Sequence, residues 1–235
     1  MNYLSNSTLN YPKSGIRVMF DLASKYPDAI NLSVGEPNFE TPEHIKAAAI
    51  KAINEGLTKY NPNAGIYELR ETIAEKYGND LGYKLEAENV MVSVGGMEAI
   101  FLALTTTLNN GDEVIIPDPA YPNYCGTVSI LGGKIVRVPL YEKHGFKLQP
   151  EDLEKAITPK TKVLIINYPT NPLGATLNKE DVEKLAEVVK KHNIMVISDE
   201  VYDKIIYDGN VHYSMSQIED VRKQVLVVNS FSKSY

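Results

Sequence analysis

Several kinds of residue and segment are scarce or absent in this 235-residue sequence, and each absence excludes a class of protein. Cys125 is the only cysteine, so the chain has no internal disulfide, which fits a reducing compartment. The four histidines are far apart and show no zinc-ligand spacing. No apolar run reaches membrane-spanning length, and residues 1–10 lack the basic and apolar pattern of a signal peptide. We therefore expect a cytoplasmic protein without a metal site or membrane contact.

The charged side chains are mixed along the chain rather than gathered in blocks. Thirty acidic and 24 basic residues give a net charge of −6, and no lysine- and arginine-rich block stands out. Nucleic acid is therefore not expected as a partner. With 43% hydrophobic residues, the chain can bury a substantial core, and its length is near the upper end for one domain.

From about residue 89 onward, short apolar runs alternate with amphipathic stretches. Helices are predicted after Thr41, with Pro42 at the first position, after Gly65, and after Asn178 as N-cap. The apolar runs predict six strands, at residues 90–94, 113–116, 134–138, 163–167, 194–198 and 225–229. Near-continuous apolar strands joined by helices predict an α/β fold of three layers (αβα), with a mostly parallel sheet buried on both faces.

In open parallel sheets, ligands bind beyond the carboxyl ends of the strands. Gly95 and Gly96 follow the predicted strand 90–94 and open a helix, whose N–H groups and dipole favour a phosphate. A Gly-Gly turn is also an ordinary strand-to-helix link. It lacks the third glycine of a dinucleotide fingerprint and the Gly-Lys-Ser/Thr of a P-loop.

Polar or aromatic side chains also follow three later predicted strands, 113–116, 163–167 and 194–198. Prolines on either side hold Tyr121, whose ring can stack on a flat heteroaromatic ligand. The amide of Asn171 and the phenol of Tyr202 can donate to one phenolate-type oxygen, and Asp199 can pair with a protonated ring nitrogen. Each residue also has an ordinary interpretation, as rim packing, turn chemistry or a helix N-cap.

Lys233 lies just past the last predicted strand, after Ser230 and Ser232. A desolvated lysine amine loses its proton readily and can form a Schiff base with an aldehyde, while the two hydroxyls can hold phosphate oxygens. The spacing Ser230-x-x-Lys233 also matches a serine acylase. That alternative is disfavoured because no Lys-Thr-Gly follows and Ser198-Asp199-Glu200 is not Ser-Asp-Asn.

Taken together and in this order, these residues resemble class I/II aminotransferases of the fold-type I pyridoxal phosphate family. The similarity extends over essentially the whole chain, including residues 31–39 and 59–65. It implies a cofactor-binding large domain over residues 41–235, incomplete at its C-terminus. Residues 1–40, rich in asparagine, serine and proline, would then form an N-terminal arm and part of the small domain.

The resemblance also implies a role for individual residues. Lys233, Asp199 and Tyr202 are the implied catalytic residues, and Gly35, Tyr121 and Asn171 lie by the substrate. Tyr60 reaches the phosphate of the neighbouring subunit, which implies a homodimer of the full-length parent. The implied ligands of pyridoxal 5'-phosphate within one chain are Gly96, Met97, Tyr121, Asn171, Asp199, Tyr202, Ser230, Ser232 and Lys233.

The implied activity is transfer of an amino group between an L-amino acid, such as aspartate or an aromatic amino acid, and a 2-oxo acid. Two alternatives share the same residues: a carbon–sulfur lyase of the same fold type, and a non-catalytic remnant that binds pyridoxal phosphate.

One departure from the family is large. Relatives continue well past the lysine and supply two arginines, one for phosphate and one for the substrate carboxylate. None of the four arginines here (Arg17, Arg70, Arg137 and Arg222) matches them. Relatives also place a further strand between those matching 225–229 and 90–94. We therefore expect a truncated chain with a gap in its sheet, inactive or poorly folded in isolation.

Overall fold

The computed structural model describes residues 3–9, 11, 15–26, 28, 30 and 35–235, without the side chains of Ile16, Arg17 and Phe20. Residues 31–34 of the family-like segment, and parts of the predicted arm, lie outside the described residues. The α-helices are α1 (Asn6–Leu9), α2 (Gly15–Ala23), α3 (Glu43–Asn54), α4 (Tyr67–Leu81), α5 (Gly95–Thr107), α6 (Pro122–Ile130), α7 (Pro150–Ala156) and α8 (Lys179–His192). The strands are β1 (Glu113–Asp118), β2 (Lys134–Pro139), β3 (Thr161–Asn167), β4 (Met195–Asp199) and β5 (Val225–Val228).

The five strands form one parallel sheet in the order β2-β1-β3-β4-β5. The register places Asn167 opposite Asp199, and Asp199 opposite Val228. The carboxyl ends of β3, β4 and β5 therefore lie side by side at one level of the sheet. Side chains that follow these strands are brought to one place although they are far apart in sequence.

Alternate residues of each strand face opposite sides of the sheet. Ile115, Leu164 and Val196 face the layer that contains α7 and α8. The opposite face, including Ile165 and Ile197, packs against α5 and α6. Each fully buried leucine or isoleucine contributes about 1.5–3 kcal/mol relative to an exposed one, so both faces stabilise the fold. This arrangement confirms the three-layer α/β prediction.

Helix α8 begins and ends as its sequence predicts. The side chain of Asn178 accepts a hydrogen bond from Asp181 N, and the Asp181 side chain bonds back to Asn178 N. Val182, Leu185 and Val189 are buried on one stripe against the sheet. The helices predicted near residues 43 and 66 are present as α3 and α4, although Pro42 precedes α3 rather than being its first residue.

The strand predicted at residues 90–94 is wrong. In the described residues this segment has no strand structure and pairs with no strand, and β5 is the outer strand of the sheet. Met91 is 55% exposed and Val94 is 88% exposed, so the apolar run is not a buried one. Its apolar composition predicted a strand, but a strand also needs a hydrogen-bonding neighbour, and composition does not supply one.

The other five predicted strands are present, with ends that differ by a few residues. Among the described helices, none combines the length and the apolar character that crossing a bilayer requires.

Candidate active site

A cavity of about 300 Å³ lies beyond the carboxyl ends of β3, β4 and β5, where α5 begins. Nine of the residues implied by the resemblance line it: Gly96, Met97, Tyr121, Asn171, Asp199, Tyr202, Ser230, Ser232 and Lys233. Its volume is at the lower end of the range for small-molecule sites. The structure therefore brings together residues from five places in the chain, the start of α5 and the ends of β1, β3, β4 and β5.

Asp199 ends β4 and is buried beneath the cavity, with 6% of its surface exposed. Tyr124 Oη donates to its Oδ2 at 2.5 Å, and Val201 N donates to its Oδ1 at 3.3 Å. Burial raises the pKa of the Asp199 carboxyl, while the hydrogen bond from Tyr124 acts in the opposite direction. The carboxylate is therefore desolvated and has a fixed direction.

Sequence reasoning missed Tyr124. It lies in the first turn of α6, three residues after Tyr121, and its ring meets the Tyr121 ring edge to face with centroids 5.5 Å apart. The spacing of three on a helix was a usable signal, because such residues share a face. Tyr121 is held further by Asn123 Nδ2, which donates to its Oη at 2.8 Å.

Asn167, at the end of β3, was missed as well. Its Nδ2 donates to the main-chain oxygen of Asp199 at 2.9 Å, and its Oδ1 accepts from Asn171 N at 2.8 Å. Asn171 Nδ2 in turn donates to Tyr202 Oη at 3.3 Å. One amide side chain thus fixes the Asn171 loop against β4, with the Asn171 amide beside the Tyr202 hydroxyl.

The end of the cavity where α5 begins can hold an anion. The 13-residue helix α5 begins there at Gly95, whose φ of +77° favours glycine. Ser230 and Ser232 line the same end, and their hydroxyls lie 2.9 Å apart. Partial positive charge at the helix N-terminus and two hydroxyls favour a phosphate there.

Lys233 reaches the cavity from the 3₁₀ turn Phe231–Lys233. Its Nζ donates to the main-chain oxygen of Gly35 at 2.5 Å and lies 5.9 Å from the centre of the Tyr202 ring. The lysine is only partly buried, which is less desolvation than the sequence argument assumed. This hydrogen bond places the main chain of Gly35 beside the Lys233 amine.

Two groups of residues lie elsewhere. Tyr60 is fully exposed and does not line the cavity. Arg70 donates to Ala87 O, and Arg137 pairs with Asp118. Among the described side chains, no arginine lines the cavity, and no cluster of three or more acidic, histidine or cysteine side chains is arranged to hold a metal.

Comparison with known proteins shows which family carries this arrangement. Residues 27–235 match the family model "Aminotransferase class I and II". The chain is 44% identical to aromatic-amino-acid aminotransferase 2 of Thermococcus litoralis over 94% of its own length. Its fold matches aspartate aminotransferase of Thermus thermophilus with a TM-score of 0.94 at 38% identity over the whole chain. The chain belongs to the class I and II aminotransferase family, whose class I members use pyridoxal phosphate.

The chain spans 57% of the length of the Thermococcus relative and 62% of the Thermus structure. A further relative, aspartate aminotransferase of Pyrococcus abyssi, is 44% identical and is also matched over 57% of its length.

Proposed function

We propose that this chain binds pyridoxal phosphate and provides the cofactor site of an aminotransferase, which moves an amino group between an L-amino acid and a 2-oxo acid. One observation carries the proposal: a buried Asp199 carboxylate, the paired Asn171 and Tyr202, and the Lys233 amine line one cavity. Residues 41–235 would form the large domain, and residues 1–40 an arm with part of the small domain. The names of its relatives favour aspartate or aromatic amino acids as donors, and a cytoplasmic location is part of the proposal.

The residues fit this cofactor group by group. The α5 N-terminus with Ser230 and Ser232 suits its phosphate, and the buried Asp199 carboxylate suits its ring nitrogen. The Asn171 amide and the Tyr202 hydroxyl suit the ring oxygen. Lys233 supplies the amine that an aldehyde needs. When bound there, pyridoxal phosphate supplies an electron sink for chemistry at the substrate Cα.

Each side chain then has a physical task. The Asp199 carboxylate accepts a hydrogen bond from a protonated ring nitrogen and keeps that proton in place. Asn171 and Tyr202 orient the ring by donating to its oxygen. The Lys233 amine, once free, moves a proton at the substrate Cα, and a positioned acid–base group typically contributes about 10²–10⁴-fold. Gly35 lies against the Lys233 amine, where a substrate would approach.

The proposal is tested by trapping the covalent bond. The 235-residue chain is incubated with pyridoxal phosphate, reduced with borohydride and mapped by peptide mass spectrometry. We expect a pyridoxyl group on Lys233, none on Lys233→Ala, and unchanged labelling in Lys190→Ala, whose lysine pairs with Asp220 on the surface. The assignment would be refuted if the unsubstituted chain carried no pyridoxyl group on Lys233 while other lysines were labelled both in it and in Lys233→Ala.

We also propose that Tyr60 acts across a homodimer interface. Its side chain is fully exposed, and it follows a helix whose Ile50 and Ile53 are 58% and 65% exposed, with Leu57 also exposed. Apolar residues exposed together often mark a contact with another chain. Sedimentation equilibrium tests this: a dimer that Ile53→Glu dissociates is the expected result, and a monomer at all concentrations would contradict it.

A further inference from the structure

Glu200 directly follows Asp199, but its side chain lies on the opposite face of the sheet, on the side of Ile166 and Met215. It is buried, with 4% of its surface exposed. Its carboxylate has three partners. Ser198 Oγ and Ser214 Oγ both donate to Oε1 at 2.7 Å, and His212 Nε2 lies 2.7 Å from Oε2. None of these side chains lines the cofactor cavity, so the chemistry proposed above leaves this cluster unexplained.

The main chain of Glu200 is held as firmly as its side chain. Its N–H donates to Val228 O at 2.8 Å, and its carbonyl accepts from Asn229 Nδ2 at 3.1 Å. The preceding carbonyl, of Asp199, accepts from Asn167. Because the peptide between residues 199 and 200 is fixed on both sides, anchoring the Glu200 side chain on one face limits how the Asp199 side chain can turn on the other.

The Glu200 carboxylate also joins the two ends of a loop. Residues 201–211 leave β4, carry Tyr202 and return to Glu200 through His212 and Ser214. The far part of this loop is exposed, with Tyr207 at 73% and Val211 at 80%. Other contacts hold its first residues: Asn171 Nδ2 donates to Tyr202 Oη at 3.3 Å, Asp203 N donates to Glu200 O at 3.0 Å, and Lys204 pairs with Asp80 at 3.0 Å. These three contacts lie before the exposed part of the loop, so the buried contacts at Glu200 are what tie its return end to the sheet.

We propose that Glu200 and His212 are positioning residues for the cofactor site. Their contact closes the loop of residues 201–211 and thereby fixes the Tyr202 hydroxyl beside Asn171 and the direction of Asp199. The proposal rests on the proposed function for the identity of the cofactor. Loss of a comparable outer partner in metal sites typically weakens binding or activity by about 10–100-fold, and we expect a similar loss of pyridoxal phosphate affinity here.

Four variants distinguish a positioning role of Glu200 and His212 from a general loss of fold stability. His212→Leu and Glu200→Gln break or weaken the contact, while His212→Gln keeps a donor of similar reach and should rescue it. Gln224→Met is the matched control. It removes an amide that donates to Ile194 O at 2.9 Å, next to the amino end of β4 and away from the loop. If His212→Leu does not fold, Ser214→Ala replaces it, because Ser214 also donates to the carboxylate.

Two measurements are made on each variant: amide hydrogen exchange of the cofactor-free chain, and titration with pyridoxal phosphate. In His212→Leu and Glu200→Gln we expect amide exchange about tenfold faster within residues 201–211, together with weaker binding of pyridoxal phosphate. In His212→Gln and Gln224→Met we expect both the exchange rate and the cofactor affinity to stay near those of the unsubstituted chain. Unchanged loop exchange, or faster exchange with unchanged affinity, would overturn the proposal. A parent chain that binds no pyridoxal phosphate would instead refute the proposed function, and the exchange data would still decide whether Glu200 closes the loop.

Discussion

Replacing Tyr124 by phenylalanine removes one oxygen atom from beneath the cofactor cavity. The Tyr124 ring is 2% exposed and packs against Tyr121, so the substitution keeps its shape and its apolar contacts. Asp199 loses the 2.5 Å hydrogen bond, and of its carboxylate's hydrogen bonds to described residues it keeps the 3.3 Å one from Val201 N. The variant therefore measures what this hydroxyl contributes to a buried carboxylate.

The size of the effect depends on the charge of Asp199. A hydrogen bond to an ionised group contributes about 1.5–3 kcal/mol, and one between neutral groups about 0.5–1.5 kcal/mol. Burial raises the pKa of Asp199, so the ionised carboxylate lowers the stability of the folded state as pH rises from 3.8 through the raised pKa. Tyr124 offsets part of that cost. Its loss should therefore lower the free energy of unfolding most at the higher pH.

The assay is urea denaturation of the cofactor-free chain at several pH values between about 4 and about 8. We expect Tyr124→Phe to lose about 1.5–3 kcal/mol at the upper end of this range, and less as the pH falls through the raised pKa of Asp199. Tyr168→Phe is the control, because its buried hydroxyl accepts from the neutral Leu148 N at 2.9 Å. If both variants lose the same free energy and neither loss changes with pH, the reasoning about Asp199 is wrong.

Two further predictions concern the scaffold. Asn178→Ala removes the side chain that accepts from Asp181 N, and should lower the free energy of unfolding by about 1 kcal/mol in urea melts; no change would mean that the cap is replaced by solvent. Gly126→Ala places a Cβ 2.3 Å from the Tyr11 ring, so the ring must move. Nitration of the Tyr11 phenol, followed by peptide mapping, should then be several-fold faster than in the unsubstituted chain, and an unchanged rate would show that α6 moves instead.

The sequence predicts the layers of this fold well, because its signals are local. Apolar runs mark β3 and β4, and Asn178 marks the start of α8. The segment 90–94 has a similar apolar composition but pairs with no strand among the described residues, and pairing is a tertiary property that a run of side chains does not encode.

Some residues of the site could be predicted from the sequence and others could not. Asp199 ends a parallel strand and is placed by the strand register, while Lys233 is brought to the cavity by the short 3₁₀ turn after β5. Tyr124 and Asn167 act through contacts with Asp199 from 75 and 32 residues away, and sequence spacing gives no measure of such contacts. Glu200 and His212 were hidden for a different reason, since they lie on the face away from the cavity.

Asp199 ends β4 and Glu200 follows it, and because their side chains lie on opposite faces of the sheet, the fold is sensitive to the length of this strand. Asp199 meets a phenol on one side, and Glu200 meets an imidazole and two hydroxyls on the other. Deleting or inserting one residue upstream in β4 would exchange the two sides, so that each carboxylate would face the partners of its neighbour. Substitutions within the strand should therefore be tolerated far more often than single-codon deletions, and a deletion scan would locate this boundary.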